Sequence, residues 1–163
     1  SVIVDNINSK IGPDDTLIHL GDFSFGGFDK IGQFLDRLVC KNIHLVLGNH
    51  DHHIKNNREN IHDRFLSVQN YLEVNIGGAN FVLSHYPLCS WNQLSKGAIQ
   101  LHGHVHLPTN KKWGNGKRLD VGVDGNHYQP YKLTEIVHMM DRREVRSEIV
   151  NDHHLDDIDG VVG

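Results

Sequence analysis

Short apolar runs, each stopped by a glycine or a tight turn, constrain the fold of this chain more than any other feature. Runs of three to five residues are typical of β-strands, and continuous apolar runs indicate strands buried on both faces. A glycine directly after a run lets the backbone turn sharply as it leaves the strand. We therefore predict strands at residues 17–20, 43–47, 81–83, 99–101 and 119–123.

An amphipathic helix is predicted between the first two of these strands. Four apolar residues between positions 31 and 38 recur at helical spacing, and Asp29 stands where the helix would start. A strand, helix, strand unit is typical of α/β proteins, so we expect a central sheet or two packed sheets flanked by helices. Further helices are predicted at residues 2–11, 61–68 and 134–140, the last with Thr134 as its N-cap.

Length and composition indicate how the chain is organised. A chain of 163 residues with 38% hydrophobic content fits one compact domain, so we predict a single domain over residues 1–163. Its net charge of −4 provides no overall attraction for nucleic acid or an anionic membrane. Cys40 and Cys89 form no C-x-x-C pattern, and no signal peptide or membrane span is recognisable. We therefore expect a cytoplasmic protein.

Residue types that bind metals follow four of the predicted strands. Asp22 follows the first strand, Asn49 the second, and His85 the third, while His104 and His106 follow the fourth. Residues at the carboxyl ends of neighbouring strands converge in space. A mixture of carboxylate, amide oxygen and imidazole suits divalent Mn, Fe, Zn or Ni, and the sequence does not choose among them.

The order of these motifs resembles a known family. Gly21-Asp22, Gly48-Asn49-His50-Asp51, the isolated His85 and Gly103-His104-Val105-His106 match, in order and spacing, the signature of the calcineurin-like metallophosphoesterases. The resemblance runs from about residue 14 to residue 130 and is strongest to small bacterial and phage phosphohydrolases. It implies a β-sandwich core flanked by helices in α/β/β/α layers, and hydrolysis of a phosphomonoester or phosphodiester.

The resemblance also implies a dinuclear metal site. In this family pattern Asp22 bridges two divalent ions, Asn49, His85 and His104 hold one of them, and His106 helps to hold the other. Two cations roughly 3.5–4 Å apart can clamp phosphate oxygens and lower the pKa of a shared water, which becomes the attacking hydroxide. We expect the metals to perform most of the activation.

Two further residues are candidates for proton transfer. The resemblance assigns His50 as an acid beside the metals, and His50 could donate a proton to the leaving oxygen or stabilise its charge. Asp51, its neighbour, could orient or charge the imidazole. The substrate is a phosphate ester, for which a nucleotide is one candidate, and we expect no stable binding to nucleic acid.

One family motif is missing from its usual place. An Asp-x-His motif normally precedes the Gly-Asp motif and supplies two ligands to the first metal, but residues 1–20 contain none. Asp152 and His154 provide such a motif after the apolar residues 149–150, which would make the chain circularly permuted. The alternatives are an acidic tail over residues 145–163, a lost opening strand, or a degenerate single-metal site in a non-catalytic protein.

Several other residues have both a structural and a functional interpretation. Tyr86, Trp91 and Trp113 could line a substrate cleft or contribute to core packing. For Asp120 and Asp124 a role at a turn or sheet edge is the better interpretation. Seven histidines are interpreted as structural or solvated: His19, His44, His52, His53, His62, His102 and His127.

Overall fold

Helices and strands alternate along the first part of the chain in the computed structural model, which describes residues 2–21, 28–107, 112, 114–122 and 129–145. In chain order the elements are α1 (Val2–Lys10), β1 (Thr16–His19), α2 (Phe28–Arg37), β2 (Asn42–Val46), α3 (His52–Lys55), a 3-10 helix (Arg58–Arg64), β3 (Ser67–Gln69), β4 (Tyr71–Ile76), β5 (Ala79–Ser84), a second 3-10 helix (Leu94–Lys96), β6 (Ile99–His102), β7 (Arg118–Asp120) and α4 (Leu133–Met140).

The strands form two sheets. The first sheet has the order β1-β2-β3 and is parallel throughout. The second has the order β4-β5-β6-β7, with β4 antiparallel to β5 and the remaining pairs parallel. The carboxyl ends of β1 and β2 therefore lie at one edge of the first sheet, and those of β5, β6 and β7 lie at one edge of the second.

The first apolar cluster joins the helices to the first sheet. Ile31 and Leu35 on α2 and Leu38 just after it are each at most 2% exposed, and they belong to the same cluster as Ile43 and Leu45 of β2. Their helical spacing puts them on one face of α2, as the sequence predicts. The opposite face of β2 remains available for other contacts, since successive side chains of a strand point to opposite faces.

The second cluster joins the two sheets. Val46 of β2 and the buried Leu20 lie in one cluster with Phe81, Leu83 and other residues of the second sheet, and α4 contributes Ile136 and Met140. The fold is therefore a mixed α/β arrangement of a parallel sheet and a mixed sheet flanked by helices. The predicted fold class and all five predicted strand positions are confirmed, although β7 is shorter than expected.

Two predicted helix features are wrong. The helix predicted at residues 61–68 is a 3-10 helix that ends at Arg64, followed by strand β3. Helix α4 begins at Leu133, so Lys132 rather than Thr134 is its N-cap. The backbone N–H of Lys132 donates to Glu135 Oε2 at 3.4 Å, which places the start of the helix one turn before that carboxylate.

Candidate metal centre

Three of the predicted metal ligands meet at one point between the two sheets. Nε2 of His85 lies 2.9 Å from Oδ1 of Asn49 and 3.2 Å from Nδ1 of His104. Asn49 follows β2, His85 follows β5 and His104 follows β6, so the contact joins the carboxyl ends of strands from both sheets. The structure thus brings these three residues together, and their role as metal ligands remains a prediction.

A backbone carbonyl fixes the tautomer of His85. Nδ1 of His85 lies 2.8 Å from the carbonyl oxygen of Leu20, which can only accept a hydrogen bond, so Nδ1 carries the proton. Nε2, the other ring nitrogen, is thereby left as the atom that faces Asn49 and His104. His85 is only 3% exposed, and the carbonyl holds its ring in place as in many metal-ligating histidines.

The donor set fits a divalent metal ion. Asn49 Oδ1 and His85 Nε2, which lie 2.9 Å apart, are both atoms that can donate an electron pair to a metal ion. Two imidazole nitrogens and an amide oxygen suit Mn, Fe, Zn or Ni. Among the described residues no cluster of three His, Cys, Asp or Glu occurs, because this set contains two histidines and an asparagine. Asp22, its predicted carboxylate, lies outside the described residues, as do Asp152 and His154.

Glycines allow the loops of the site to approach each other closely. Gly21 has φ +95°, and a Cβ there would lie 2.5 Å from His85 Nδ1 and 2.6 Å from the backbone nitrogen of Gly48. No side chain fits at that distance. The backbone N–H of Gly103 donates to the carbonyl oxygen of His85 at 3.0 Å, which ties the loop after β6 to the end of β5.

The loop after β6 has a strained backbone. His104 and His106 have φ values of 68° and 55°, in the left-handed region that non-glycine residues rarely adopt. Both side chains are exposed, and His106 lies two residues beyond the three-donor contact on the same loop. Strain of this kind persists where surrounding structure holds the backbone, and it concentrates at functional sites.

Asp51 stabilises the turn that presents Asn49 and His50. Its side chain is 1% exposed, and Oδ2 accepts a hydrogen bond from the backbone N–H of Gly48 at 2.8 Å. Its carbonyl oxygen accepts from the N–H groups of Ile54 and Lys55, the last two residues of α3. His50 lies exposed at the tip of this turn. The proton-transfer roles predicted for His50 and Asp51 remain predictions.

A buried carboxylate supports the loop that carries His104. Asp120 is 1% exposed and accepts backbone hydrogen bonds at 2.8 Å from Leu107 through Oδ2 and from Gly122 through Oδ1. It lies opposite His102 in the register of β6 and β7. Burial lowers the pKa of His102, and the neutral ring donates from Nδ1 to the carbonyl oxygen of Gly103 at 3.0 Å. The interpretation of both residues as structural agrees with these contacts.

Replacing Asp120 with asparagine is expected to lower the free energy of unfolding by about 2 kcal/mol. One carboxylate oxygen would become an NH₂ group facing a buried backbone N–H, which leaves two donors without an acceptor. Urea denaturation measures the loss. Asp36→Asn is the matched control, because Asp36 forms an exposed salt bridge with Arg64 and its replacement should cost less than about 1 kcal/mol. Equal losses in the two variants would contradict the supporting role.

Of the aromatic residues that could line a substrate cleft, Tyr86 lies at the site and Trp91 lies in the core. Tyr86 is 48% exposed and packs edge-on against His104, with ring centroids 4.7 Å apart, and against His85 at 5.0 Å. Trp91 is buried, and its Nε1 donates to the carbonyl oxygen of Ala98 at 2.9 Å. Tyr86 therefore lines the site, Trp91 belongs to the core, and Trp113 lies outside the described residues.

Two histidines outside the site have structural contacts, and a third lines a cleft beside it. His44 Nδ1 lies 2.7 Å from Ser67 Oγ, and His62 Nε2 lies 2.6 Å from the carbonyl oxygen of Ile54. His52, interpreted as structural or solvated, is exposed and lines a cleft beside Asn49 together with Lys55. Their spacing of three residues directly after the Gly48–Asp51 turn is the sequence signal that could have indicated this cleft.

Fold and donor set together define a class: a mixed α/β protein with strand-end ligands suited to a divalent metal ion. The chain belongs to the calcineurin-like phosphoesterase superfamily, whose family model matches residues 2–142. Members of this superfamily generally use divalent metals. The resemblance noted in the sequence is thus confirmed, while the number and identity of the metals remain predictions.

Two solved structures resemble this chain. A protein of unknown function from Aquifex aeolicus, AQ665, has 25% sequence identity and a TM-score of 0.65, covering 85% of this chain and 83% of its own. A novel archaeal phosphodiesterase has 19% identity and a TM-score of 0.49, covering 74% of this chain and 75% of its own. None of the curated proteins matches this chain.

The described helices are too short or too polar to cross a bilayer. The longest, α2, has 10 residues, whereas a span needs about 20 apolar residues.

Proposed function

We propose that this chain hydrolyses a phosphomonoester or phosphodiester at a site that holds two divalent metal ions. The observation that carries the proposal is that His85 Nε2 lies 2.9 Å from Asn49 Oδ1 and 3.2 Å from His104 Nδ1, at the carboxyl ends of strands from both sheets. Membership of a phosphoesterase superfamily supplies the reaction class. A bound divalent ion would supply Lewis acidity and lower the pKa of a water molecule.

Each candidate metal ligand has a proposed role. Asn49, His85 and His104 would hold one metal together with Asp22, and Asp22 and His106 would contribute to the second. The hydrogen bond from His85 Nδ1 to Leu20 keeps the Nε2 lone pair directed at the first metal position.

Proton transfer is assigned to the turn that follows β2. His50 is exposed at the tip of this turn, where it can reach a substrate oxygen and donate a proton to the leaving group. The buried Asp51 carboxylate keeps the turn in shape through its bond to Gly48, and this positions the His50 backbone. We therefore assign His50 the acid role and Asp51 a positioning role.

The remaining ligands of the second metal are proposed to be Asp152 and His154. They supply the Asp-x-His motif that residues 1–20 lack, which is why a circularly permuted order accounts for the whole ligand set. We also propose a cytoplasmic location, because the two cysteines are free and Cys89 is exposed, as expected in a reducing compartment.

Metal content and hydrolysis together test the proposal. Dialysed against Mn²⁺, the chain is expected to bind two ions and to hydrolyse bis-p-nitrophenyl phosphate or p-nitrophenyl phosphate, with the rate lost on chelation. The Asp152→Ala, His154→Ala double variant should lose one ion and at least about 100-fold in rate. His153→Ala with Asp157→Ala, in the same segment but outside the motif, is the matched control.

Other results would contradict specific parts of the proposal. One bound ion without hydrolysis would establish the alternative, a metal-binding protein without catalysis. Two ions and full activity in the Asp152→Ala, His154→Ala variant would rule out the permuted ligands while leaving the hydrolysis intact.

A further inference from the structure

A cleft opens directly beside the three-donor contact. It has a volume of about 240 Å³, and Asn49 and Tyr86 form part of its wall. Asn49 belongs to the donor set through its 2.9 Å contact with His85, and the Tyr86 ring packs against His104. A phosphate ester bound at the donor set would therefore extend one of its substituents into this cleft.

The polar part of the cleft wall is rich in hydrogen-bond donors and contains a cation. His52 and Lys55 are three residues apart on α3 and both line the cleft, as does Asn70. No Asp or Glu belongs to the lining, and among the described residues Lys55 forms no ion pair.

Size and shape limit what the cleft can hold. Pockets for drug-sized ligands are roughly 300–1,000 Å³, so a space of about 240 Å³ suits a short substituent. Leu47 and the ring of Tyr86 offer apolar surface for a few carbon atoms, while Lys55 and His52 offer donors to a terminal group. A ligand that matches this wall is a short carbon chain that ends in an anionic group.

We infer that the substrate is a small phosphate ester whose organic part carries a second anionic group, and that Lys55 is the main residue that recognises it. This inference rests on the proposed function, since it takes the donor set as the position of the reacting phosphate. The second anion is a carboxylate or a second phosphate, which share the charge and the acceptor oxygens that Lys55, His52 and Asn70 can bind.

Binding of three matched phosphonates tests the inference independently of catalysis. Propylphosphonate, 3-phosphonopropionate and 3-aminopropylphosphonate have tails of similar length that are neutral, anionic and cationic. Isothermal titration of the Mn²⁺-treated chain is expected to show 3-phosphonopropionate binding about tenfold more tightly than propylphosphonate, with the cationic compound weakest. In Lys55→Gln the tenfold preference should fall to about twofold.

Lys96→Gln is the matched control. Lys96 is an exposed lysine just before β6, at the opposite end of that strand from His104, and its replacement should leave the preference at about tenfold. A second variant, His52→Gln, should lower the preference by a smaller factor. Equal affinities of the three compounds for the unaltered chain, absence of any binding, or an unchanged preference in Lys55→Gln would each overturn the inference.

The proposed function can fail separately. If the anionic preference and its dependence on Lys55 are observed but neither nitrophenyl ester is hydrolysed, the anion-binding cleft is supported and hydrolysis of these esters is not. To separate a carboxylate from a phosphate as the second group, hydrolysis of 3-phosphoglycerate is compared with that of glycerol 1,3-bisphosphate, with glycerol 3-phosphate as the neutral-tailed reference.

Discussion

Replacing His104 with glycine is expected to lower the affinity for Mn²⁺ at least about 100-fold without destabilising the metal-free protein. The substitution removes the Nδ1 donor that lies 3.2 Å from His85 Nε2, and no other side chain of the loop takes its position in that contact. Since the side chain is exposed, little packing is lost. The backbone at this residue has φ 68°, a conformation that glycine adopts without strain.

The comparison with alanine separates the metal effect from the backbone effect. His104→Ala removes the same donor but keeps a Cβ at φ 68°, so it should be about 1 kcal/mol less stable than His104→Gly, with an equal loss of metal. Urea denaturation in the presence of a chelator measures stability, and equilibrium dialysis measures metal. His104→Gly is therefore expected to lose metal affinity without losing stability, because the strained backbone at residue 104 serves to present the metal ligand.

Two other histidines complete the experiment. His138 is exposed on α4, so His138→Ala should change neither metal content nor rate. His50→Ala should keep both metal ions but lower kcat by about 100-fold, because the acid role is lost while the ligands remain. Retention of metal and activity in His104→Gly would contradict the assignment of the donor set, and loss of metal in His50→Ala would contradict its role as acid.

The strands could be predicted from the sequence because their burial leaves an unambiguous pattern. Residues 43–47 and 99–101 are mainly apolar, each with one polar residue, His44 and Gln100, and the structure buries β6 completely. Strand β4 was missed because it forms one edge of the second sheet, with half-buried residues alternating with exposed ones. Its signal was the Gly77-Gly78 pair, since both glycines have positive φ and close the hairpin between β4 and β5.

The helix predicted at residues 61–68 is wrong because the spacing of apolar residues reports which side chains are buried and does not identify the backbone conformation. Ile61 and Phe65 recur four residues apart, and both are indeed buried in the cluster beneath α2. The spacing therefore reports correctly which side chains are buried, but a 3-10 helix followed by a strand satisfies it as well as an α-helix does. Short apolar patterns cannot separate these backbones.

The side chains that supply donors to the candidate site could be predicted from the sequence. The backbone groups that hold those side chains in place could not. Asn49, His85 and His104 follow strands and could be grouped from their positions. The carbonyl of Leu20, which fixes the His85 tautomer, has no sequence signal because every residue carries a carbonyl group. Lys55 was likewise missed, because its spacing of three residues from His52 after the Gly48–Asp51 turn is a weak sequence signal for a cleft that the fold forms beside Asn49.

Substituting alanine for Gly21 is expected to cost about 3 kcal/mol or more of stability and to abolish metal binding. The new Cβ would lie 2.5–2.7 Å from His85 Nδ1 and from the nitrogen and Cα of Gly48, none of which is the end of a flexible side chain. Overpacking against fixed atoms costs about 1–3 kcal/mol, and alanine at φ +95° adds about 1 kcal/mol of backbone strain. Urea denaturation and equilibrium dialysis with Mn²⁺ measure the two effects.

Gly97 makes it possible to separate these contributions. Its φ of +91° is close to that of Gly21, but a Cβ there would have no atom within 4 Å, so Gly97→Ala should show the backbone cost of about 1 kcal/mol alone and keep the metal. The excess loss in Gly21→Ala then measures how tightly the ends of β1, β2 and β5 are drawn together. If both variants lose the same stability and both bind metal, the close approach at Gly21 does not hold His85 in its ligating position. If only Gly21→Ala loses the metal, the glycine of the Gly-Asp motif is retained for the room it leaves to His85, in addition to the turn it makes before Asp22.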